Sequence, residues 1–254
     1  MKSTAPQQYS RFWRVPQMLG VELLRARYVT QNFPRHSHEG FAVGVIESGA
    51  LGFFYRGENV VAPAGAVNLA IPDQPHTGHA ADDTGWTYRM FYLDAGLLQQ
   101  AAEEMAGKPC GLPFFRAGVL HDPQLAADLR LVHTALESGD GPLLEYQSRL
   151  LKVLIHLIRR HAYPAPALHR VGREHQAVRS ARDYLEAHYI DNPTLQELAA
   201  AANLSPFHLI RVFQQAVGLP PHAYLNQVRI RHARRLLAQG QPIVQVAYEV
   251  GFSD

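Results

Sequence analysis

A short helical pattern occurs twice near the end of this chain, and the two copies are 48 residues apart. The first copy places apolar or small residues at positions i, i+3, i+4 and i+7, which form one face of a helix: Leu195, Leu198, Ala199 and Ala202. The second copy fills the same positions in the same order: Ile243, Val246, Ala247 and Val250. A repeat is more specific than one amphipathic segment, so it restricts this region to two similar α-helical units.

The residues around the first copy are typical of helix ends. Thr194 and Glu197 have the spacing of a capping box. Ser205 followed by Pro206 predicts the N-cap and the first turn of a second helix, and Gly218 is placed to end it. Two short helices joined by a tight turn indicate a helix-turn-helix, whose second helix enters the major groove of DNA.

That second helix has an inward and an outward face. Leu209, Val212 and Phe213 are expected to point into the core. The residues expected at DNA, including the cap, are Ser205, Phe207, His208, Ile210, Arg211, Gln214 and Gln215. Arg211 suits a bidentate contact to guanine, the glutamines suit adenine or phosphate, and the apolar pair suits thymine methyl groups. The alternatives are packing for Phe207 and Ile210, and a surface position without a role for His208.

The charge of this region differs from the average of the chain. The chain has 24 basic and 22 acidic residues, a net charge of +2, yet residues 205–248 contain no Asp or Glu. The arginines of this segment are Arg211, Arg229, Arg231, Arg234 and Arg235. A local positive field suits a polyanion such as double-stranded DNA, and a solvated helix face is the alternative.

A further helix is expected between the two copies, over residues 221–238. Its inward residues are expected to be Tyr224, Val228, Ile230, Ala233, Leu236 and Leu237. The four later arginines are expected outward. Because they are distributed around the helix, only one or two are expected to bind phosphate, and Arg229 is the candidate.

The first part of the chain has a different pattern. Short runs of apolar residues stand at 41–46, 51–55, 60–62, 67–71 and 88–93. Turn signals rich in Gly, Pro, Asn and Ser separate these runs, as at residues 47–49. Many short strands at such spacing predict a small antiparallel barrel or sandwich.

Helical patterns follow this region. Helices are expected at residues 94–105, from 122 to about 139, and at 142–161, with Asp94 and Asp122 as N-caps of the first two. The third carries more apolar residues than one face needs, so it forms either a dimer seam or ordinary core packing. Residues 163–166, with two prolines, indicate a linker.

The C-terminal region resembles the DNA-binding domain of the AraC/XylS family of bacterial transcription regulators. Three segments carry the resemblance: G-L-P-P-H-x-Y at 218–224, R-I-x-x-A-R-x-L-L at 229–237 and I-x-x-V-A-x-x-V-G-F at 243–252. The N-terminal half is similar to the cupin-like ligand-binding and dimerisation domain of that family. The resemblance implies a ligand-modulated transcription factor whose two helix-turn-helix units read adjacent major grooves.

The expected fold is therefore α+β, with an N-terminal cupin-like β-barrel and dimerisation helices followed by an all-α double helix-turn-helix domain. The expected boundaries are 1–95 for the effector-binding barrel, 96–162 for the helical bridge, 163–172 for the linker and 173–254 for the DNA-binding domain. Family members continue past G-F-S-D at 251–254 into a second recognition helix. We therefore expect that the sequence is a fragment, incomplete at the C-terminus. The alternative is a protein that binds DNA with one helix-turn-helix unit per subunit.

Two segments resemble the cupin motifs, namely H-S-H at 36–38 and G-x5-P-x-G at 57–65. Metal-binding cupins have a Glu four or five residues after the H-x-H and a His shortly after the P-x-G. Here Ala42 and Val43 stand in place of the Glu, and Asn68 stands in place of the His. Two of four usual ligands remain, which is fewer than a divalent metal needs.

Other histidines do not change that expectation, because His76 and His79 are expected in a turn after Pro75. We therefore expect no metal, no cofactor and no enzymatic activity. A metal-dependent cupin enzyme fused to a helical domain is the alternative to a regulator, and the metal content separates the two.

The barrel is expected to bind a small polar effector, such as a sugar or an amino-acid-like molecule. The residues predicted to line its site are His36, His38, Glu47, His76, Trp86, Tyr88, Arg89 and Tyr92. Their aromatic rings and hydrogen-bonding groups suit such a ligand. The effector would change how the helices around residues 143–158 and the linker hold the DNA-binding domain.

Composition excludes other classes of protein. With 47% apolar residues the chain can form a packed core, and no apolar run approaches the length of a membrane span, about 20 residues. Cys110 is the single cysteine, so no internal disulfide is expected and a cytoplasmic location is the simplest interpretation. A homodimer through helix 142–161 is an expected partner, and RNA polymerase is a further candidate.

Overall fold

The computed structural model describes residues 8–18, 20–166 and 175–252, which form two compact units. The described residues of the first unit are 8–103 without 19, 109–134 and 153–166, and those of the second are 104–108, 135–152 and 175–252. Most of the predicted linker 163–172 lies outside the described residues, as do both ends of the predicted DNA-binding domain. The boundaries given above for the barrel, the helical bridge, the linker and the DNA-binding domain therefore remain predictions.

The described part of the first unit contains nine β-strands. They are β1 (Tyr9–Arg14), β2 (Glu22–Tyr28), β3 (Asn32–His36), β4 (Phe41–Tyr55), β5 (Glu58–Pro63), β6 (Val67–Ala70), β7 (His76–Ala80), β8 (Trp86–Leu93) and β9 (Val119–Leu120). One antiparallel path runs β1-β2-β8-β4-β6-β9, while β3 pairs with β7, and β7 and β5 pair with β4. This arrangement confirms the predicted antiparallel, cupin-like architecture.

The long strand β4 corrects a sequence prediction. The runs 41–46 and 51–55 were expected as two strands joined by a turn, but β4 is continuous from Phe41 to Tyr55. Its register shifts between Ile46 and Ser48, and Gly49 has a φ of +68°. The turn signal therefore marks a bulge and bend, which lets the first half of β4 pair with β6 and the second half with β5 and β7.

Strand β7 corrects a second prediction, because His76 and His79 lie in a strand and not in a turn. The segment has the sequence HTGHA, without the apolar run that identifies a strand from sequence. Its pairing with β3 places His36 directly opposite His76. Four further strands, β1, β2, β3 and β9, are also absent from the predicted runs.

Eight helices are described along the chain. They are α1 (Ala95–Ala106), α2 (Pro123–Ser138), α3 (Leu143–His161), α4 (His175–Ala187), α5 (Leu195–Ala201), α6 (Pro206–Val217), α7 (Pro221–Ala238) and α8 (Ile243–Glu249). The predicted starts of α1 and α2 are confirmed, since Asp94 accepts a hydrogen bond from Gly96 N at 2.8 Å and Asp122 accepts one from Leu125 N at 3.1 Å.

Helix α3 buries its apolar residues within one chain. The fully buried ones are Leu144, Leu150, Leu151, Val153, Leu154, Leu157 and Ile158. Only Leu143 and Ile155 are partly exposed among its predicted apolar positions. Ordinary core packing therefore accounts for most of the surplus, and the dimer seam stays a prediction.

The second unit contains the predicted repeat. The amide of Leu204 donates to the carbonyl of Ala199 at 2.9 Å, and the equivalent amide of Phe252 donates to Ala247 at 2.9 Å. The residue before each donor has a positive φ, +52° in the first copy and +85° in the second. The two helix ends thus share one backbone turn, which confirms the repeat read from the sequence.

The first copy also has the predicted caps. Thr194 and Glu197 form a complete capping box around the start of α5. Ser205 accepts a hydrogen bond from His208 N at 3.2 Å at the start of α6, and Gly218 ends that helix with a φ of +78°. These local signals position the two helices of the predicted helix-turn-helix.

Three predicted inward residues are exposed instead. Ile230 is 49% exposed and Leu237 is 40% exposed, whereas Val228 of the same helix is buried. Steps of two and nine residues from Val228 turn by about 200° and 180° on an α-helix, so both residues point away from its buried face. Ile243 of α8 is 71% exposed, because no described residue covers it, although Val246 and Val250 of that copy are buried.

Candidate functional site

Six of the eight residues predicted to bind the effector surround one cavity in the first unit. They are His36, His38, His76, Trp86, Tyr88 and Tyr92. The cavity has a volume of about 110 Å³, whereas one water needs about 10–15 Å³. Among the described residues that line it there is no Asp, Glu, Lys or Arg. The lining therefore has aromatic walls and a few polar groups, without a carboxylate, ammonium or guanidinium group.

Strand alternation explains which residues reach the cavity. Side chains of successive strand residues point to opposite faces, and β8 contributes every second residue from Trp86 to Tyr92. The lining residues that the sequence prediction missed are Leu24, Tyr28, Phe33, Ala42, Leu51, Phe53, Asn68, Ala70, Thr77, Gly78 and Met90. The same period in β2 would have identified Leu24 and Tyr28 if that strand had been recognised.

Glu47 and Arg89 do not line this cavity, which corrects their predicted role. Arg89 lies between Tyr88 and Met90 on β8, so its side chain takes the opposite face of the sheet. Arg89 is 6% exposed, and its guanidinium donates to Glu47 Oε1 at 2.8 Å and to His133 Nδ1 at 3.0 Å. Arg89 therefore joins β8 to β4 through Glu47 and to α2 through His133, which is a structural role.

Two buried polar atoms of the cavity wall have no hydrogen-bond partner among the described residues. Asn68 is 9% exposed with its Oδ1 unpaired, and Trp86 is 1% exposed with its Nε1 unpaired. An unpaired buried polar group costs about 1–3 kcal/mol, so such groups are rare in native proteins. Both residues line the same cavity, so these two buried atoms are candidate hydrogen-bond partners for a polar ligand.

Three histidines form a cluster in the cavity. The ring centroids lie 4.4 Å apart for His36 and His76, 5.0 Å for His36 and His38, and 5.0 Å for His38 and His76. Burial, followed by the neighbouring imidazoles of His76 and His36, lowers the pKa of His38 to about 4. Burial also lowers the pKa of His76. At pH 7 these two rings are therefore neutral.

Two tyrosines of the cavity, Tyr88 and Tyr92, are also uncharged at pH 7. Burial raises the pKa of the Tyr92 hydroxyl to about 12, with Tyr28 and Glu22 adding to the effect. Burial likewise raises the pKa of Tyr88 well above its usual value, and the neighbouring hydroxyls of Tyr92 and Tyr28 raise it further. Both hydroxyls remain available as hydrogen-bond donors across the physiological range.

A second cluster in the first unit joins Asp122, His156 and His161. The Asp122 carboxylate accepts hydrogen bonds from His156 Nε2 at 3.1 Å and from His161 Nε2 at 2.8 Å, in addition to capping α2. Burial raises the pKa of Asp122, but the hydrogen bonds from Leu125 N and the two imidazoles outweigh it and lower the pKa to about 2. The cluster is a satisfied link between α2 and α3.

Helix α6 of the second unit is the predicted recognition helix. Gln214 and Gln215 are exposed, and Arg211 and His208 are partly exposed. Arg211 Nη1 lies 3.5 Å from the carbonyl oxygen of Glu104, and the Ser205 hydroxyl donates to the Glu104 carboxylate. The inward residues Leu209, Val212 and Phe213 are buried as predicted.

Three residues predicted to contact DNA are buried. Phe207 is 3% exposed and Ile210 is 2% exposed. Their predicted outward position is therefore wrong, and both pack in the core, as the alternative interpretation stated. Arg229 is 2% exposed, and its guanidinium donates to Tyr189 O and to Asp191 O, both at 2.7 Å. It lies one turn after the buried Leu225, which explains its inward direction.

Comparison with known proteins identifies both halves of the chain. Residues 19–154 match the family described as AraC-like ligand binding domain, and residues 198–254 match a family described as helix-turn-helix domain. The first match covers more than half of the chain. The chain therefore belongs to the AraC/XylS family of transcriptional regulators, which pair a cupin-like ligand-binding domain with a helix-turn-helix DNA-binding domain.

Two named transcriptional regulators agree with this class. The chain is 29% identical to the uncharacterized HTH-type transcriptional regulator YbfI of Bacillus subtilis, over 98% of this chain and 89% of that protein. It is 26% identical to the HTH-type transcriptional activator RhaS of Citrobacter koseri, over 87% of this chain and 80% of that protein. A cupin superfamily protein from Desulfitobacterium hafniense is 9% identical over 37% of this chain and 84% of its own, with a TM-score of 0.31.

These findings favour a regulator over the enzyme alternative, since both named relatives are transcriptional regulators. In the described part of the chain, no helix combines the length and the apolar character needed to span a bilayer.

Proposed function

We propose that this regulator binds a small, polar, hydroxyl-bearing effector in the barrel cavity and that the bound effector changes its affinity for DNA. The observation that carries the proposal is that two residues lining one cavity have a buried polar atom without a partner among the described residues, namely Asn68 Oδ1 and Trp86 Nε1. A ligand that donates to Asn68 and accepts from Trp86 would satisfy both groups.

The residues that line the cavity indicate the class of effector. The described lining residues carry no charged side chain that would neutralise a carboxylate or an ammonium group. Aromatic rings from Tyr28, Trp86 and Tyr88 offer apolar surfaces, and several polar atoms lie among them. An uncharged molecule with several hydroxyl groups, such as a sugar, fits these features better than an amino-acid-like molecule.

For DNA, we propose that α6 enters the major groove with Arg211, Gln214 and Gln215 as its reading residues. Gln214 and Gln215 are exposed, and Arg211 is partly exposed on the same helix. Ser205 and His208 remain candidates near its N-terminus, where backbone amides suit phosphate. The exposed Arg234 and Arg235 of α7 replace Arg229 as candidates for phosphate contacts.

The remaining partners follow from the class of protein. A DNA-binding regulator of a bacterium acts where the chromosome lies, in the cytoplasm. Homodimer formation and contact with RNA polymerase accompany this proposal as expectations from the family. A dimer measurement by analytical ultracentrifugation would test the first, because a single species at monomer mass would reject it.

Substitution of Asn68 by Leu tests the effector site. Removing an unpaired buried acceptor is expected to leave the melting temperature of the free protein unchanged or to raise it. A thermal-shift screen of sugars and related metabolites should find a compound that stabilises the wild type and does not stabilise Asn68→Leu. A compound that stabilises both proteins equally would place its site outside this cavity and contradict the proposal.

Substitution of Arg211 by Ala tests the recognition helix. The loss of a bidentate guanine contact should weaken specific binding by about 1–3 kcal/mol and relax the preference at one base position. Arg235→Ala is the control, because a phosphate contact carries no direct sequence information and its loss should weaken binding uniformly. Unchanged affinity and base preference of Arg211→Ala in a footprint titration would reject this role.

A further inference from the structure

We propose that His36, His38 and His76 form a binding site for one divalent transition-metal ion, with Zn²⁺ as the model case, at the polar side of the cavity. Each imidazole offers one ring nitrogen, and these nitrogens all lie within 4.8 Å of one another. The site would use the H-x-H pair together with a histidine from β7, and not the residue at position 68, where this chain has Asn.

The backbone brings these three side chains together. His36 ends β3 and is the cross-strand partner of His76 on β7, so their rings lie on the same face of the pair. The loop that carries His38 is fixed by a hydrogen bond from Asp73 N to His38 O at 2.8 Å. The His38 ring packs edge-on against Tyr92, with ring centroids 5.2 Å apart. The cluster is therefore built by strand pairing and packing.

Hydrogen bonds to the backbone orient two of the rings for a metal. His36 Nδ1 lies 2.8 Å from Pro34 O, and His76 Nδ1 lies 2.9 Å from Gln74 O. A carbonyl oxygen only accepts, so Nδ1 carries the proton in both rings and the lone pair of the neutral ring is on Nε2. Metal-binding histidines are typically held in this way, by a donor bond from the other ring nitrogen to a carbonyl or carboxylate.

The number and type of ligands fit an ion with an exchangeable position. Zn²⁺ with three protein ligands keeps a fourth position for water or another oxygen ligand, with Zn–N distances of about 2.0–2.1 Å. A tetrahedral ion needs nitrogens about 3.3 Å apart, so small ring rotations would close the observed spacing. All three histidines line the cavity, so an effector bound there would lie next to the ion and could supply the fourth ligand.

The role of this ion rests on the effector function proposed above. A hydroxyl oxygen of the effector would be the fourth ligand of the ion, beside the three histidines. The ion would then supply the positive charge that the described lining residues lack. The second histidine cluster is a weaker candidate for a metal site, because the Nε2 atoms of His156 and His161 already donate hydrogen bonds to the Asp122 carboxylate.

Metal titration of the full chain tests the site directly. Co²⁺ and Zn²⁺ are added separately to protein purified with chelator, and binding is followed by calorimetry and, for Co²⁺, by visible absorption. The wild type is expected to bind one equivalent with an intense Co²⁺ band, and azide is expected to shift that band by entering the open position. Absence of a bound equivalent, or a band that azide leaves unchanged, would overturn the site as described.

Matched variants locate the ion. His76→Gln is expected to weaken Co²⁺ binding at least tenfold, whereas His79→Gln, on the same strand but outside the cluster, should bind as the wild type does. Equal binding by His76→Gln and wild type, or loss of binding in His156→Gln alone, would assign the ion elsewhere and reject the proposal. Circular dichroism of each variant checks that it is folded. Because neither DNA nor effector is present, a negative result leaves the proposed effector function standing.

Discussion

At the scale of single residues, Arg229 is a buried cation that links α7 to the segment after α4. Arg229 was assigned to DNA from its charge and its acid-free region, yet it donates two 2.7 Å hydrogen bonds to the carbonyls of Tyr189 and Asp191. Those carbonyls follow α4, about 40 residues earlier in the chain. No local pattern reports so distant a partner, whereas the helical angle between Leu225 and Arg229 does indicate the inward direction.

Arg229→Ala should therefore reduce the stability of the folded protein and leave its preference for particular DNA sequences unchanged. Loss of charge-assisted bonds to two carbonyls is expected to lower the free energy of unfolding by about 2–4 kcal/mol. Arg235→Ala, on the exposed side of the same helix, should change it by less than about 0.5 kcal/mol. Urea denaturation of the full chain measures both. Equal stability of the two variants would contradict the structural role of Arg229.

At the scale of elements, the sequence predicted helices more accurately than strands. The ends of α5 and α6 carry caps that act within a few residues, so Thr194, Ser205 and Gly218 were identified correctly. Strand β7 has no apolar run and depends on pairing with β3 and β4. Pairing is a long-range property, and for that reason the third histidine of the cluster was misplaced in a turn.

The bend of β4 gives a prediction at this scale. A Cβ at Gly49 would lie 1.9 Å from the Gly85 carbonyl oxygen at a φ of +68°, so Gly49→Ala should destabilise the barrel by about 2–4 kcal/mol. Gly57 also has a positive φ, +93°, but open space around its Cβ position. Gly57→Ala should therefore cost only about 1–2 kcal/mol. Thermal unfolding measures the stability of both variants. An equal loss of stability in Gly49→Ala and Gly57→Ala would contradict the prediction, because it would show that the clash at Gly49 is relieved.

At the scale of the whole molecule, the repeat and the change of composition predicted a cupin-like region followed by a helix-turn-helix region, and the family matches confirm that order. Six of the eight predicted cavity residues surround one cavity. Arg89 is an exception because it follows Tyr88 on β8, so its side chain takes the opposite face of the sheet, where it pairs with Glu47, the other exception. What a sequence cannot give is the coupling between the cavity and DNA, since coupling is a difference between two states.

The central claim is that occupancy of the cavity changes DNA affinity, and one measurement tests it most directly. Fluorescence anisotropy gives the Kd for operator DNA with and without the effector, in the wild type and in Asn68→Leu. We predict a change of about 5-fold or more in the wild type, an equal change in effector affinity caused by DNA, and no change in the variant. The same Kd with and without effector in the wild type, or an undiminished effect in Asn68→Leu, would contradict the account.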